Sequence, residues 1–261
     1  MRLITTTLLL YCVAVAAVFG LQLVAVTALV ARRSGTFDFE RDGLGALLVG
    51  VPASSLALIA LAWLAAGGPR RERLRLLPSR VPTGALVAMI VGTLALSQAL
   101  ESLALLVGVG LGANLDWIAR TLAGAGPVGL LLAVLVIWGL APVGEELFFR
   151  GFMLTRLRRV WSAGPAILVT ALAFGLIHGE WVHGMLATGI GLYLGLVTER
   201  SASVIPAVIS HVANNTASVL LSAAIGSPQG RGVNAALLVV TAVVFAGSLR
   251  WLPPPAPAEA R

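Results

Sequence analysis

Two adjacent glutamates and an arginine end an apolar run, in the sequence GEELFFRG at 144–151. A carboxylate in apolar surroundings is costly unless it is paired or used in chemistry. Glu146 and Arg150 are four residues apart, so on a helix they share one face and can pair. Glu145 points about 100° away on the same helix and is left without a local partner. It is therefore predicted to act as a general base, the alternative being a buried acid kept neutral by a hydrogen bond.

Two histidines and an asparagine extend this pattern further along the chain. His178 ends one apolar stretch, and His211 lies four residues before Asn215 in another. On a helix His211 and Asn215 share one face, where both can donate hydrogen bonds to a developing oxyanion. The alternative is that they only join neighbouring helices. At a rise of about 1.5 Å per residue, Glu145, His178 and His211 reach similar depths in a bilayer, which favours one common site.

The elements that would position these residues are membrane helices. The chain has 261 residues, of which 58% are hydrophobic and 11% charged, and its mean hydropathy is +0.96. Soluble domains carry roughly 25% charged residues. The sequence therefore predicts an all-α membrane protein, a polytopic bundle of about eight transmembrane helices. The predicted spans are 4–30, 44–66, 83–108, 127–149, 163–178, 184–198, 203–225 and 233–252.

The chain is predicted to form one transmembrane domain over 1–252, with the motif core at about 127–225. Residues 253–261, PPPAPAEAR, are proline-rich and are predicted to be a disordered tail. The net charge is +7 and the chain contains no lysine. Because the arginines stand at the ends of apolar runs, they indicate membrane topology rather than nucleic-acid binding. Their distribution predicts a multi-pass protein of the cell membrane with both termini in the cytoplasm.

Several other residues are assigned structural roles from the sequence. His183 and Glu180 lie in the short connection HGEWVHG and are predicted to be interfacial. Gln98 and Glu101 are predicted to join helices within the third span. The arginines at 156–159 are predicted to anchor the topology. The glycines at and after Gly175 are predicted to let the fifth and sixth spans pack closely.

The polar residues form an ordered pattern on three predicted spans. The motifs are Glu145-Glu146-x-x-x-Arg150, Phe174-x-x-x-His178 and His211-x-x-x-Asn215. This pattern resembles the CPBP family of intramembrane proteases, which includes the CAAX prenyl endopeptidases of the Rce1 type and bacterial Abi proteins. The resemblance implies an endopeptidase that acts on a membrane-embedded or lipidated peptide or protein, among which prenylated CAAX substrates are one class.

The resemblance also implies roles for the motif residues. Glu145 with His178 would activate the attacking water, and His211 with Asn215 would stabilise the oxyanion. The remaining glutamate and the arginine of the first motif would support the site. The family is often described as metalloproteases, and His178, His211 and a glutamate could hold Zn²⁺ with an open position. A glutamate base without metal serves equally, and the sequence has no HExxH motif.

Two other functions fit the sequence. Intramembrane Glu, His and Arg residues also mark ion paths, so a transporter or proton relay is one alternative. Transporters often show internal repeats in matching halves, and the sequence shows none. A non-catalytic immunity or binding protein on the same fold is the other alternative.

Overall fold

The computed structural model describes residues 1–33, 36–225 and 230–254. It is 82% helical, and the described residues contain no strand. Residues 255–261, most of the predicted disordered tail, lie outside the described part. We number the helices α1 (Arg2–Arg33), α2 (Phe39–Ala66), α3 (Arg70–Arg73), α4 (Thr83–Leu106), α5 (Ala113–Ala123), α6 (Pro127–Leu157), α7 (Ala163–Leu176), α8 (Trp181–Ser201), α9 (Ile205–Ile225) and α10 (Arg231–Leu249).

Helices occupy all eight positions that the hydropathy pattern predicts for spans. Within the described residues, six helices are long and apolar enough to cross a membrane: α1, α2, α4, α6, α8 and α10. Helix α7 is apolar but shorter, with 14 residues. The chain is thus an all-α, multi-pass membrane protein, as predicted, whereas the predicted count of eight spans is not confirmed.

Helix α5 was not predicted, because the pattern assigns its residues to a loop between two spans. It packs closely on α2, where a Cβ added to Gly43 would lie 2.9 Å from the Thr121 hydroxyl oxygen. Its first turn contacts the end of α7, because the Asn114 side-chain amide donates to the His178 carbonyl at 3.1 Å. Gly112, just before α5, has φ +89° and lies against the Glu180 side chain. Helix α5 therefore covers the connection between α7 and α8.

The second half of α6 lies in the centre of the bundle. Every residue from Leu147 to Leu154 is buried, including Arg150. A helix that is buried on all sides needs apolar residues all round, and three phenylalanines, Phe148, Phe149 and Phe152, supply them here. These rings belong to a core that α1, α2 and α7 share with α6. Any polar group on this part of α6 must therefore find its partners inside the protein.

Helices α7 and α8 form a tight antiparallel pair. A Cβ added to Gly184 would lie 2.9 Å from the Gly175 carbonyl oxygen, so both positions need the absence of a side chain. Glu180 caps the start of α8, accepting from the backbone amides of Val182 at 2.8 Å and His183 at 3.0 Å. The close packing predicted from the glycines of these two spans is what the structure has.

Candidate active site

The two glutamates of the first motif lie in a short α-helical stretch of α6 between two wider turns. The α-helical residues are Ala141–Glu146, and the flanking segments Val134–Leu140 and Leu147–Leu154 are π-helical. Pro142 has no amide hydrogen to donate to the carbonyl four residues earlier, so the regular ladder cannot pass this point. π-helical turns occur frequently at functional sites. The backbone of α2 packs directly against this stretch, because a Cβ added to Gly144 would lie only 2.8 Å from the Ser55 carbonyl oxygen.

Glu146 and Arg150 form the ion pair that their spacing predicts. Arg150 Nη1 lies 2.8 Å from Glu146 Oε1, and both side chains are fully buried. Arg150 Nη2 donates to the Gly191 carbonyl of α8 at 3.1 Å. The guanidinium carbon also stands 4.5 Å from the centre of the Phe174 ring, a cation–π contact. This one arginine thereby ties α6 to both α7 and α8.

His211 stands between the two glutamates. Its Nδ1 donates to Glu146 Oε1 at 2.9 Å, since a carboxylate oxygen can only accept. Its other nitrogen, Nε2, lies 3.8 Å from Glu145 Oε2. The Glu145 side chain is 22% exposed, whereas that of Glu146 is fully buried. One carboxylate therefore orients the imidazole, and the other faces it from an accessible position.

His178 is oriented by the end of its own helix. Its Nδ1 lies 2.8 Å from the Phe174 carbonyl, one of the last-turn carbonyls that lack a backbone donor. Since a carbonyl only accepts, Nδ1 carries the hydrogen, and in the neutral ring Nε2 keeps a free lone pair. No hydrogen bond or ion pair joins His178 to Glu145 within the described residues. The two predicted partners in water activation are thus not hydrogen-bonded to each other in the described structure.

Asn215 is half-buried on α9. Its side-chain oxygen accepts a long hydrogen bond, 3.4 Å, from the neighbouring Asn214 amide. Its own amide hydrogens remain available for another acceptor. No hydrogen bond links Asn215 to His211 or Glu145 in the part of the chain that the structure describes. Asn214 is buried, and its side-chain oxygen has no hydrogen-bond partner there.

Phe174 connects the histidines to the buried ion pair. Its ring packs edge to face against His178 and His211, with centroid distances of 5.0 Å and 5.8 Å. The same ring also contacts the Arg150 guanidinium, which lies over it. The structure thus assembles five of the six predicted site residues through direct contacts with one another or with Phe174. Asn215 is linked to the group only by its place one turn after His211.

Sequence reasoning placed His183 at the interface as a structural residue, and it missed the contact that His183 makes. The His183 ring lies 4.3 Å from that of His178, and its Nδ1 is buried without a hydrogen-bond partner among the described residues. The His178 ring therefore contacts both the Phe174 ring and the His183 ring. The one sequence signal for this arrangement is the repeated His-Gly pair in HGEWVHG.

The arrangement does not fit the metal centre that the sequence allowed. Over the described residues, no group of three or more His, Cys, Asp or Glu side chains is placed to hold a metal ion. Of the two histidines considered as ligands, His178 forms no hydrogen bond or ion pair with either glutamate within the described residues. His211 uses Nδ1 for Glu146, leaving one nitrogen near Glu145. The predicted zinc site at His178 and His211 is therefore not supported by the geometry.

Comparisons with known proteins bear on the same part of the chain. Residues 127–217 match the family model described as type II CAAX prenyl endopeptidase Rce1-like. An uncharacterized 24.3 kDa protein of Escherichia coli is 35% identical over 98 residues, which is 35% of this chain and 44% of that relative. The chain thus spans less than half the length of the curated relative that it matches. No solved structure is significantly similar to it.

The matched segment contains all three motifs and runs from the start of α6 to two residues beyond Asn215. This match supports a protease of the CAAX type. Residues 127–217 therefore match an Rce1-like family model, and over this segment the predicted resemblance of the chain to the CPBP family of intramembrane proteases is confirmed.

Proposed function

We propose that this protein is an endopeptidase that hydrolyses a peptide bond of a membrane-associated substrate by direct attack of water. One observation carries the proposal: the accessible Glu145 carboxylate faces Nε2 of His211, whose other nitrogen is bound to the buried Glu146. A partly exposed carboxylate next to an imidazole with a fixed orientation is suited to moving protons during acyl transfer.

In the first step, a water molecule attacks the carbonyl carbon of the scissile bond. Glu145 removes one proton from this water. His178 accepts a hydrogen bond from the other water hydrogen through the free lone pair of Nε2, which fixes the direction of attack. The new carbon–oxygen bond forms as the carbonyl π bond opens to a tetrahedral oxyanion.

In the second step, the oxyanion collapses and the carbon–nitrogen bond breaks. Asn215 donates a hydrogen bond to the oxyanion from its amide, and His211 donates from Nε2 in its doubly protonated form. Glu145 returns the proton that it took from water to the leaving nitrogen. The products are a carboxylic acid and an amine, so atoms and protons balance without a further reagent.

The buried residues act on the geometry of the reacting groups. Glu146 holds His211 through Nδ1, and Arg150 compensates the charge of Glu146. His183 is a positioning residue in this scheme, because its ring packs against that of His178. Residues that act in this way hold a site close to its productive geometry.

The substrate class follows from the place of the site. Glu145 belongs to a helix apolar enough to cross the bilayer, so a membrane-embedded or lipidated peptide is the proposed substrate. The matching family description, prenyl endopeptidase, supports a prenylated CAAX-type peptide as the first candidate to assay.

Replacing Glu145 by glutamine tests the mechanism. The isosteric amide cannot take a proton from water, so E145Q is expected to lower the cleavage rate about 10²–10⁴-fold. Mass spectrometry of membrane peptides from cells with the wild-type protein or E145Q measures cleavage. E101Q is the matched control, because Glu101 is a partly buried carboxylate on α4 outside the motifs, and it is expected to cleave normally.

Undiminished cleavage by E145Q would overturn the mechanism. Flux through proteoliposomes that depends on Glu145, without any peptide cleavage, would indicate a proton relay or transporter instead. A biological effect that E145Q retains in full would indicate a non-catalytic immunity or binding protein.

A further inference from the structure

A small pocket lies at one end of the bundle, away from the glutamates. It forms where the start of α1, the end of α2 and the end of α6 meet, and its volume is about 200 Å³. Three arginines line it, Arg73, Arg156 and Arg159, together with the apolar side chains of Leu3 and Phe152. The remaining wall is residues 65–67, where α2 ends. Cationic and apolar surfaces thus face the same small space.

The positive charge of this pocket is not compensated by any carboxylate of the described residues. None of the three arginines forms an ion pair with a carboxylate of the described residues. No acidic residue lines the pocket, and Glu72, on the same short helix as Arg73, is exposed. Three converging guanidinium groups repel one another and raise the local concentration of anions. The lining of the pocket is therefore suited to a negatively charged group.

Two of these arginines are already held in place. Arg156 Nη2 donates to the Thr6 hydroxyl at 2.9 Å, and its guanidinium carbon stands 5.2 Å from the centre of the Phe152 ring. Its Nε is buried with no hydrogen-bond partner in the described part of the chain. Arg73 Nη1 donates to the Ala66 carbonyl at 3.1 Å. Side chains held in this way lose less conformational entropy when they bind an anion.

We propose that this pocket binds the phosphate headgroup of an anionic phospholipid. Guanidinium groups match the geometry of phosphate oxygens, and basic pockets between membrane helices are suited to lipid headgroups. The pocket lies at the ends of three helices that can span a bilayer, which is the level of the headgroups. Leu3 and Phe152 supply the apolar wall that a glycerol backbone and acyl chain contact. The site is independent of the proposed peptidase activity.

Lipid retention by the purified full-length protein tests the proposal. The protein is reconstituted in vesicles of phosphatidylcholine with phosphatidylglycerol and extracted in detergent, and bound lipid is then counted by native mass spectrometry. The variant R73Q/R159Q removes two exposed pocket arginines, and R156Q removes the third. The charge-matched control is R80Q/R250Q, because both positions are exposed and lie outside the pocket.

The wild type and R80Q/R250Q are expected to retain phosphatidylglycerol in preference to phosphatidylcholine. The expected loss of affinity in R73Q/R159Q is about 30-fold, since each basic residue near an anionic surface contributes about fivefold. Equal retention by R73Q/R159Q and the control would overturn the proposal. Competition by millimolar inorganic phosphate as strong as that by the lipid would assign the pocket to free phosphate. If R156Q does not fold, the double variant alone decides the result.

Discussion

Two clusters of buried charge lie at different places in this protein, and each is built around one glutamate. The Glu146 cluster contains Glu146, Arg150 and His211. The Glu199 cluster contains Glu199, Arg75 and Arg158. In both, a carboxylate on a membrane helix meets two nitrogen donors from other turns of the chain. They differ in whether the carboxylate has an oxygen without a hydrogen-bond partner, and in whether a second titratable side chain lies next to the cluster.

The Glu199 cluster is closed. Glu199 Oε1 binds Arg75 at 2.7 Å and Oε2 binds Arg158 at 2.8 Å, so both oxygens are used. Arg158 also donates to the Trp161 carbonyl. Arg75 has φ +52°, a backbone conformation rare for a residue with a side chain, and its carbonyl accepts from Val204 at 2.9 Å. The cluster joins three segments, and neither oxygen of its carboxylate is left over for chemistry.

The Glu146 cluster is open. Its Oε1 accepts from both Arg150 and His211, while its Oε2 is buried without a partner among the described residues. Beside it stands Glu145, the accessible carboxylate that faces the second nitrogen of His211. Buried charge alone therefore does not identify a site. A site is indicated when a buried cluster holds a titratable group against a second, reachable one.

Replacing Arg150 by methionine should have the largest effect, because it leaves Glu146 buried with only His211 as partner. Loss of one member of a buried pair costs about 3–5 kcal/mol. The free energy of unfolding of R150M in detergent, from titration with sodium dodecyl sulfate, measures this cost. The double variant E146L/R150M should recover much of the loss, since it removes both charges. Equal destabilisation of single and double variants would contradict the uncompensated charge as the cause.

Replacing Glu199 by glutamine should separate the two clusters. It leaves Arg75 and Arg158 without their counter-charge, and hydrogen bonds to charged groups contribute about 1.5–3 kcal/mol each. Glutamine keeps one acceptor oxygen, so about one of these bonds is lost and the free energy of unfolding should fall by about 1.5–3 kcal/mol. The cleavage rate per folded molecule should stay at the wild-type value. A fall in the cleavage rate as large as that expected for E145Q would contradict a purely structural role of the Glu199 cluster.

A substitution behind the open cluster should have a smaller effect. A Cβ added to Gly191 would lie 2.9 Å from Arg150 Nη2 and 3.1 Å from the Phe174 ring. G191A should therefore displace both groups and destabilise the protein by about 1–3 kcal/mol. The matched control is G164A on α7, where a Cβ meets no atom within 4 Å. Thermal unfolding should give a lower melting temperature for G191A than for G164A. Equal melting temperatures would contradict the prediction, because they would show that the neighbouring groups move away from the added methyl group at no cost.

The smallest expected effect lies at the edge of the open cluster. H183L removes the ring that packs on His178, and kcat should fall about fivefold while KM stays unchanged, a loss of about 1 kcal/mol. H183F keeps an aromatic ring at the position and should restore most of kcat. Kinetics with a membrane-peptide substrate measure both constants. A rise in KM, or no rescue by phenylalanine, would contradict positioning of His178 as the role of His183.

The sequence was sufficient to predict which side chains of a single helix lie on the same face and can pair. The Glu146–Arg150 pair follows from a spacing of four residues, and the apolar runs gave the positions of the helices. It was also sufficient to choose the polar residues that meet around Phe174. These inferences succeed because helical periodicity and the cost of burying charge are local properties of the chain.

Relationships between helices could not be derived in this way. His211 was expected to act with Asn215, yet it contacts both glutamates, which depends on how α9 rotates against α6. Glu199 and Arg75 are separated by 124 positions in the chain, and nothing in their spacing indicates the pair. Helix α5 was missed because hydropathy does not distinguish a short amphipathic helix from a polar loop.

The π-helical segment Val134–Leu140 precedes the two glutamates on α6, so a deletion within it would change which way each glutamate points. Removing one residue from Val134–Leu140 would advance everything after it by one position, a turn of about 100° around the helix axis. Glu146 would then occupy the outward-facing place of Glu145, and Leu147 would enter the place now held by the buried acid. The two adjacent glutamates are therefore not interchangeable, because the number of residues before them decides which acid is accessible and which one is buried.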